Sequence, residues 1–264
     1  MTTPIAYAKP IRLPLGIPAP KVTFLECHFE FAPPEGRADV HACLFCDKPM
    51  LGWRAYPGST RLIDLQLELD SIFAGFSKDT RYEINRAKRD GVVASVYSMP
   101  TRVELEEFMD YYDAFAASKG VSEINRAQLR AWHAAEKVAL SVARNAAGTE
   151  LASHAYILDQ PRARLTHSAS LFRLEHDSSD RSEIGRANRL LHWTGLNVFR
   201  EMGARWYDFG GWYEGSVDQA LLRINAFKAE FGGEIIKEWS SFRSGSPLGS
   251  LYLIFRDLML RKKS

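Results

Sequence analysis

Lys228 is the residue whose neighbours best equip it for chemistry. It lies in Ile224-Asn225-Ala226-Phe227-Lys228-Ala229-Glu230-Phe231-Gly232-Gly233-Glu234, where Phe227 and Phe231, at i, i+4 spacing, pull a last helical turn against a core and shelter the lysine stem with it. The paired glycines stop the helix. A sheltered ammonium suits an oxygen that turns negative during reaction, as an acyl carbonyl does under attack by an amine, and can lower such a barrier by about 3 kcal/mol. Upstream, Trp206-Tyr207-Asp208-Phe209-Gly210-Gly211-Trp212 reads as a short strand ending in a glycine turn, which delivers Asp208 and Trp212 to the same end of a sheet. Trp212 is a candidate substrate contact. Asp208 is either a general base, or anchor for an incoming amine, or the carboxylate that holds the turn. His154 and His167, on neighbouring predicted strands, either accept a proton near neutral pH or pack as ordinary strand histidines.

A second stretch, Phe76-Ser77-Lys78-Asp79-Thr80-Arg81-Tyr82-Glu83-Ile84-Asn85-Arg86-Ala87-Lys88-Arg89-Asp90-Gly91-Val92, reads as a basic helix. Ser77 or Thr80 can cap it, Thr80 with Glu83 as a capping box, and Gly91 can end it. Helical spacing puts Lys78, Arg81, Asn85 and Lys88 on one face, Tyr82, Arg86 and Arg89 on a second, and Ile84 with Ala87 on a narrow apolar third. Such a helix is either a solvated flank or a grip for the phosphates of a nucleotide-linked or lipid-linked substrate, through Lys78, Arg81, Tyr82 and Lys88.

Taken in this order, the two stretches resemble the closing segment and the Ser-Lys-x-Thr-Arg helix of the Fem-type (FemABX-like) aminoacyltransferases, relatives within the GNAT acyltransferase superfamily. The resemblance spans roughly Arg61 to Glu234 and is dense only in these motifs. It implies an α/β fold with a GNAT-like mixed sheet flanked by helices, an incomplete N-terminal lobe and a fuller C-terminal one. It also implies an N-acyltransferase in cell-envelope or natural-product biosynthesis, acting on an amine of a sugar or peptide precursor, with Phe227 and Lys228 at the transfer step. The donor it implies is acyl-coenzyme A or aminoacyl-tRNA, with no tightly bound cofactor. In coenzyme A-binding GNAT enzymes a loop of the form Arg/Gln-x-x-Gly-x-Gly/Ala holds the pyrophosphate on its amides. Here Arg181-Ser182-Glu183-Ile184-Gly185-Arg186-Ala187 is one residue too long. A helix expected to begin at Arg186 would still offer its first amides, with Arg186 and Asn188, to an anion.

At 264 residues with 46% hydrophobic content and a formal charge of +2, the chain can bury a real core and carries too little charge for a dedicated nucleic-acid binder, so no DNA partner is expected, although local basic patches can still hold phosphates. No run reaches the roughly 20 apolar residues of a membrane span, and the start lacks a secretory pattern, so a cytoplasmic protein is expected. Cys27, Cys43 and Cys46 fit a reducing compartment. The string His41-Ala42-Cys43-Leu44-Phe45-Cys46 raises a metal question, but no second Cys-x-x-Cys answers it, and packed thiols in a strand are expected instead.

In sequence order, prolines at 4, 10, 14, 18 and 20 predict an extended or disordered arm over 1–20. An N-terminal lobe over 21–100 is expected to hold a small antiparallel sheet of strands at 22–31, 38–46 and 61–69, and then the basic helix and a strand at 92–97. The lobe over 101–264 opens with the capping box Thr101–Glu104 and a helix to about 118, then a helix over 125–136 and strands at 138–145, 151–158 and 164–171. Helix 186–202 and strands at 235–242 and 251–255 complete it. Arg261-Lys262-Lys263 is solubilising charge or a contact to a membrane surface. Elbow, Walker, zincin and dinucleotide motifs are absent from the sequence. A reading of a different class is a non-catalytic module that binds phosphorylated glycan or nucleotide-sugar ligands through Lys78, Arg81 and Lys88.

Overall fold

The computed structural model describes residues 3–10, 20–170 and 178–261. In chain order these form β1 (Ile5–Pro10), β2 (Lys21–His28), β3 (Val40–Cys46), β4 (Arg54–Asp64), α1 (Leu69–Ala74), α2 (Lys78–Arg89) and β5 (Val93–Tyr97). Next come α3 (Arg102–Lys119), α4 (Arg126–Ala134), β6 (Val138–Arg144), β7 (Glu150–Asp159), β8 (Arg162–Ser170) and α5 (Ser178–Glu201). The chain closes with β9 (Trp206–Gly211), α6 (Gln219–Ala229), β10 (Glu234–Ser244) and α7 (Pro247–Arg261).

Two compact units result. One comprises Met1–Gly58, Asn125–Ala135 and Lys237–Ser264; the other comprises Ser59–Ile124 and Glu136–Ile236. The chain therefore interleaves where the sequence suggested a split near residue 100. Which distant strands pair is a tertiary choice that local composition does not encode.

In the first unit the strand order is β1-β2-β3-β10. Residues 5–10, expected in an extended or disordered arm, are extended and pair antiparallel with β2 from Ile5↔Glu26 to Pro10↔Lys21. Pro10 falls at the end of this edge strand, where a missing N–H costs little. Residues 11–19 of that expected arm lie outside the described residues. β2 and β3 run parallel, not as the expected antiparallel pair. Their core is Val22, Phe24, Val40, Ala42, Leu44, Phe242 and Leu253. Cys27, Cys43 and Cys46 are buried with Met50, the Cys27 and Cys43 sulfurs 3.4 Å apart. Residues 251–255 belong to helix α7 and not to a strand. A five-residue apolar run fits either state, and the longer spacing of Leu248, Tyr252 and Leu253 on the core decides for helix.

In the second unit the order is β4-β9-β8-β7-β6-β5. All its neighbours are antiparallel except β8 and β9, which pair in parallel from Arg162↔Trp206 to Arg164↔Asp208. β4 starts earlier than expected, and 69–74 form α1. Of the two caps the sequence offered for α2, Ser77 is the one used, its side chain accepting from the Thr80 amide, and the alternative Thr80–Glu83 box does not form. Thr101 and Glu104 do form their box at the start of α3, and Gly120 ends that helix in the left-handed conformation, as such residues dictate. Tyr156, Tyr207, Phe199, Phe209 and Phe231 are among the largest fully buried side chains and lie in one cluster of this unit. Among the described residues no helix is long and apolar enough to cross a membrane.

Candidate functional site: Lys228 at the glycine end of β9

β9 ends at Gly210 and Gly211. Gly210 has φ +69°, and a Cβ there would meet the Leu165 carbonyl oxygen at 2.7 Å, so only glycine fits the turn. α6 is capped by Asp218, whose side chain accepts from the Ala220 and Leu221 amides. In its last turn Lys228 is buried, 9% exposed, and its Nζ donates to the carbonyl oxygens of Gly210 at 3.2 Å and Gly211 at 2.6 Å. An ammonium can leave water only when its hydrogens find acceptors, and two adjacent carbonyls of the turn supply them. Beneath it Phe231 packs on Phe76 and Phe209, with ring centroids 5.2 and 5.1 Å away. Phe227 is 5.4 Å from Phe231.

Glu230 ties the surrounding helices to this turn. Its carboxylate accepts from Thr80 Oγ1 at 2.9 Å and from Arg189 at 2.8 Å, and its carbonyl accepts from the Ser77 amide at 2.7 Å. The Arg189 guanidinium lies 5.1 Å from the Phe227 ring centre.

Asp208 is fully buried. Its carboxylate accepts from Thr60 Oγ1, from Arg164 at 2.7 Å and from the Gly210 amide at 2.8 Å, with Arg162 at 3.5 Å. A carboxylate so occupied holds the glycine turn and two guanidinium groups. This geometry suits the carboxylate that holds the turn, one of the roles open to it in the sequence.

The histidines form a row of buried partners. His192 Nδ1 lies 2.7 Å from the Tyr207 hydroxyl, Tyr207 3.0 Å from the Tyr156 hydroxyl, and Tyr156 2.9 Å from His154 Nδ1. His154 Nε2 lies 2.7 Å from Asn188 Oδ1. With that oxygen accepting, one direction satisfies every member: His192 donates to Tyr207, Tyr207 to Tyr156 and Tyr156 to His154, which donates to Asn188. Burial pushes His154 down to about 4 against the opposing pull of the Asn188 hydrogen bond. Burial, then the charges of His154, Lys228 and Arg189, push His192 well below the usual imidazole value. His167, edge-on to Tyr112 at 4.9 Å, is pushed by burial to about 4. The lowered values make these rings weak bases near neutral pH. Desolvation of the charged form is the reason.

The basic face is split. Lys78, Tyr82 and Lys88 are exposed on α2. Arg81 turns back and donates to the Ala74 and Phe76 carbonyls at 2.7 and 2.6 Å, closing the end of α1. It is a helix-end clamp, which is not the phosphate grip expected of it. Arg186 lies 3.3 Å from the Asp90 carboxylate. α5 is already helical at Ser178, so Gly185, Arg186 and Ala187 lie inside it and their amides are not those of a helix start. The anion-binding amides expected there are therefore displaced. Trp212 is half-buried under the Arg61 guanidinium, 5.2 Å from its ring centre.

No protein-family model and no curated protein sequence matches this chain. Among solved structures it is similar to FemX, with a TM-score of 0.63 and 12% identity over 93% of this chain and 90% of that one. It is also similar to the C-terminal domain (DUF2156) of a putative lysylphosphatidylglycerol synthetase from Agrobacterium fabrum, with a TM-score of 0.51 and 16% identity over 81% and 70%. A third is L-PGS from Bacillus licheniformis, with a TM-score of 0.50 and 14% identity over 83% and 73%. The fold is GNAT-like. At such identities the likeness is one of architecture.

Around Lys228 the second unit gathers Phe227, the Asp208 turn and, through His192, the row that ends at His154 and Asn188. Sequence reasoning missed His192, Tyr207, Tyr156, Arg189 and Glu230. Two signals were available: Asn188 and His192 stand at i, i+4 on one helix face, and His154 and Tyr156 at i, i+2 on one strand face.

Proposed function

We propose that the protein is an N-acyltransferase that moves an activated acyl or aminoacyl group onto an amine of a sugar or peptide precursor. The observation that carries the reading is the Lys228 ammonium, buried against the Gly210 and Gly211 carbonyls, in a fold similar to that of FemX. A cation held out of water interacts more strongly with a developing oxyanion than a hydrated one does. Phe227, packed 5.6 Å from His192, fixes the turn that carries the lysine. In the reaction the amine nitrogen bonds to the acyl carbon and the carbonyl oxygen takes up negative charge beside Lys228. The bond to the donor's sulfur or ribose oxygen then breaks. Asp208 is occupied and the row of imidazoles is weakly basic, so the nitrogen's proton leaves on the departing sulfur or oxygen. The name of one similar structure, a putative lysylphosphatidylglycerol synthetase, makes an aminoacyl group the first cargo to try.

The test compares wild type with Lys228→Met and Lys228→Arg, using acyl-coenzyme A and aminoacyl-tRNA donors and amine acceptors. Lys228→Met is expected to lose transfer by about a hundredfold or more while keeping its folded circular dichroism, and Lys228→Arg to recover part of it. Ribonuclease sensitivity assigns the donor. Turnover by Lys228→Met equal to wild type would overturn the reading.

A further inference from the structure

α7 wears its amphipathicity inside out. Leu253, 1% exposed, packs into the core of its unit with Val22, Phe24, Val40 and Phe242. Arg256 and Asp257 turn toward the same body. The Arg256 guanidinium lies over the Phe242 and Tyr56 rings at 3.8 and 4.4 Å, and Asp257 accepts from Arg54 at 2.7 Å and from Tyr56. Outward stand Leu251, Ile254, Phe255, Leu258 and Met259, between 39% and 62% exposed. At about 100° per residue they form one stripe roughly opposite Leu253. A stripe of large apolar side chains in water is unfavourable unless something covers it.

We propose that this face of α7 docks on an anionic lipid surface. The stripe has no acidic residue, and the sequence passes from it directly into Arg261-Lys262-Lys263. Apolar side chains along one helix with adjoining basic charge match a bilayer interface, where the chains enter the acyl boundary and the cations meet phosphate headgroups. Charge argues against a second copy of the chain. A parallel pair of α7 helices brings two basic runs together. An antiparallel pair sets each run beside the other helix's N-terminal end, which is itself the positive pole. The proposal stands apart from the acyl-transfer reading, because no residue of the stripe belongs to the Lys228 site.

The experiment is flotation of the full chain with vesicles of phosphatidylcholine alone and of phosphatidylcholine mixed with phosphatidylglycerol. Wild type is expected to travel with the anionic vesicles and to be released by high salt. A double variant, Ile254→Ser with Phe255→Ser, changes exposed side chains and leaves the core residues in place. It is expected to lower the bound fraction by about tenfold or more. Lys262→Gln with Lys263→Gln is expected to weaken the preference for phosphatidylglycerol. Lys228→Met is expected to bind as wild type does. Three results would overturn the proposal: wild type left in the soluble fraction with both vesicles, flotation unchanged in the double serine variant, or a vesicle-free dimer that this variant dissociates.

Discussion

The Tyr156 and Tyr207 hydroxyls meet 3.0 Å apart in the interior and so join two histidines, His154 on β7 and His192 on α5, that stand 38 positions apart in the sequence. Neither hydroxyl is accessible to water, and each has a partner on both sides. In a low-dielectric interior a fully satisfied polar row specifies one arrangement of the core, whereas a row missing one member leaves a polar atom stranded.

This burial predicts a stability that depends on acid. His154 and His167 are held at about 4, and His192 also lies below 6.5. Below pH 6.5 the unfolded chain binds protons that the folded chain refuses, so stability is full above 6.5 and falls as pH drops toward 4. Each histidine held at about 4 costs on the order of 3 kcal/mol when the fall is complete. Urea unfolding across that window should show the loss, and His167→Gln should remove part of the slope. A midpoint that stays level from pH 6.5 down to 4 would mean that the folded protein already carries those protons.

Asp208→Asn separates the structural role of this carboxylate from the catalytic roles the sequence also allowed. If the carboxylate holds the turn and the Arg164 charge, its removal breaks a buried ion pair at 2.7 Å. Unfolding free energy should then drop by about 3–5 kcal/mol. A variant with wild-type melting and a selective loss of turnover would instead identify Asp208 as a base.

Two glycines with similar backbone angles should respond differently to alanine. Gly148 (φ +83°) has nothing within 4 Å of an added Cβ, whereas at Gly233 (φ +77°) that carbon would lie 2.2 Å from the Leu62 carbonyl oxygen. Gly148→Ala should cost about 1 kcal/mol, the price of the left-handed conformation alone. Gly233→Ala should exceed about 3 kcal/mol, because backbone must move. Equal shifts in thermal melting for the two would show that the second close approach relaxes freely.

Much of the local structure in both units was legible. The Thr101 capping box, the Asn125 start of α4 and the strands around His154 and His167 follow from capping chemistry and period-two alternation, which act over a few residues. Lys228 was readable as sheltered because its two phenylalanines sit one turn apart. Other features were hidden by distance. Arg81 looked like a surface cation because nothing local says that its reach ends on the Ala74 and Phe76 carbonyls. Asp208 looked available because Arg162, Arg164 and Thr60 come from other strands. The start of α5 was placed too late because Glu175 to Gly185 is polar, and a polar first turn gives no apolar period to count. α7 was read as a strand from five residues when fifteen carried the signal.

The turn after β9 is fastened from both sides. Asp208 takes the Gly210 amide, Lys228 takes the Gly210 and Gly211 carbonyls, and two residues later Asn225 grips both the amide and the carbonyl of Tyr213, at 3.1 and 2.7 Å. The exposed run from Gly215 to Val217 lies between these anchors and the Asp218 cap of α6. The segment that leads from the Lys228 turn into α6 is thus tethered at each end, by Asn225 at Tyr213 and by Asp218 at the start of the helix.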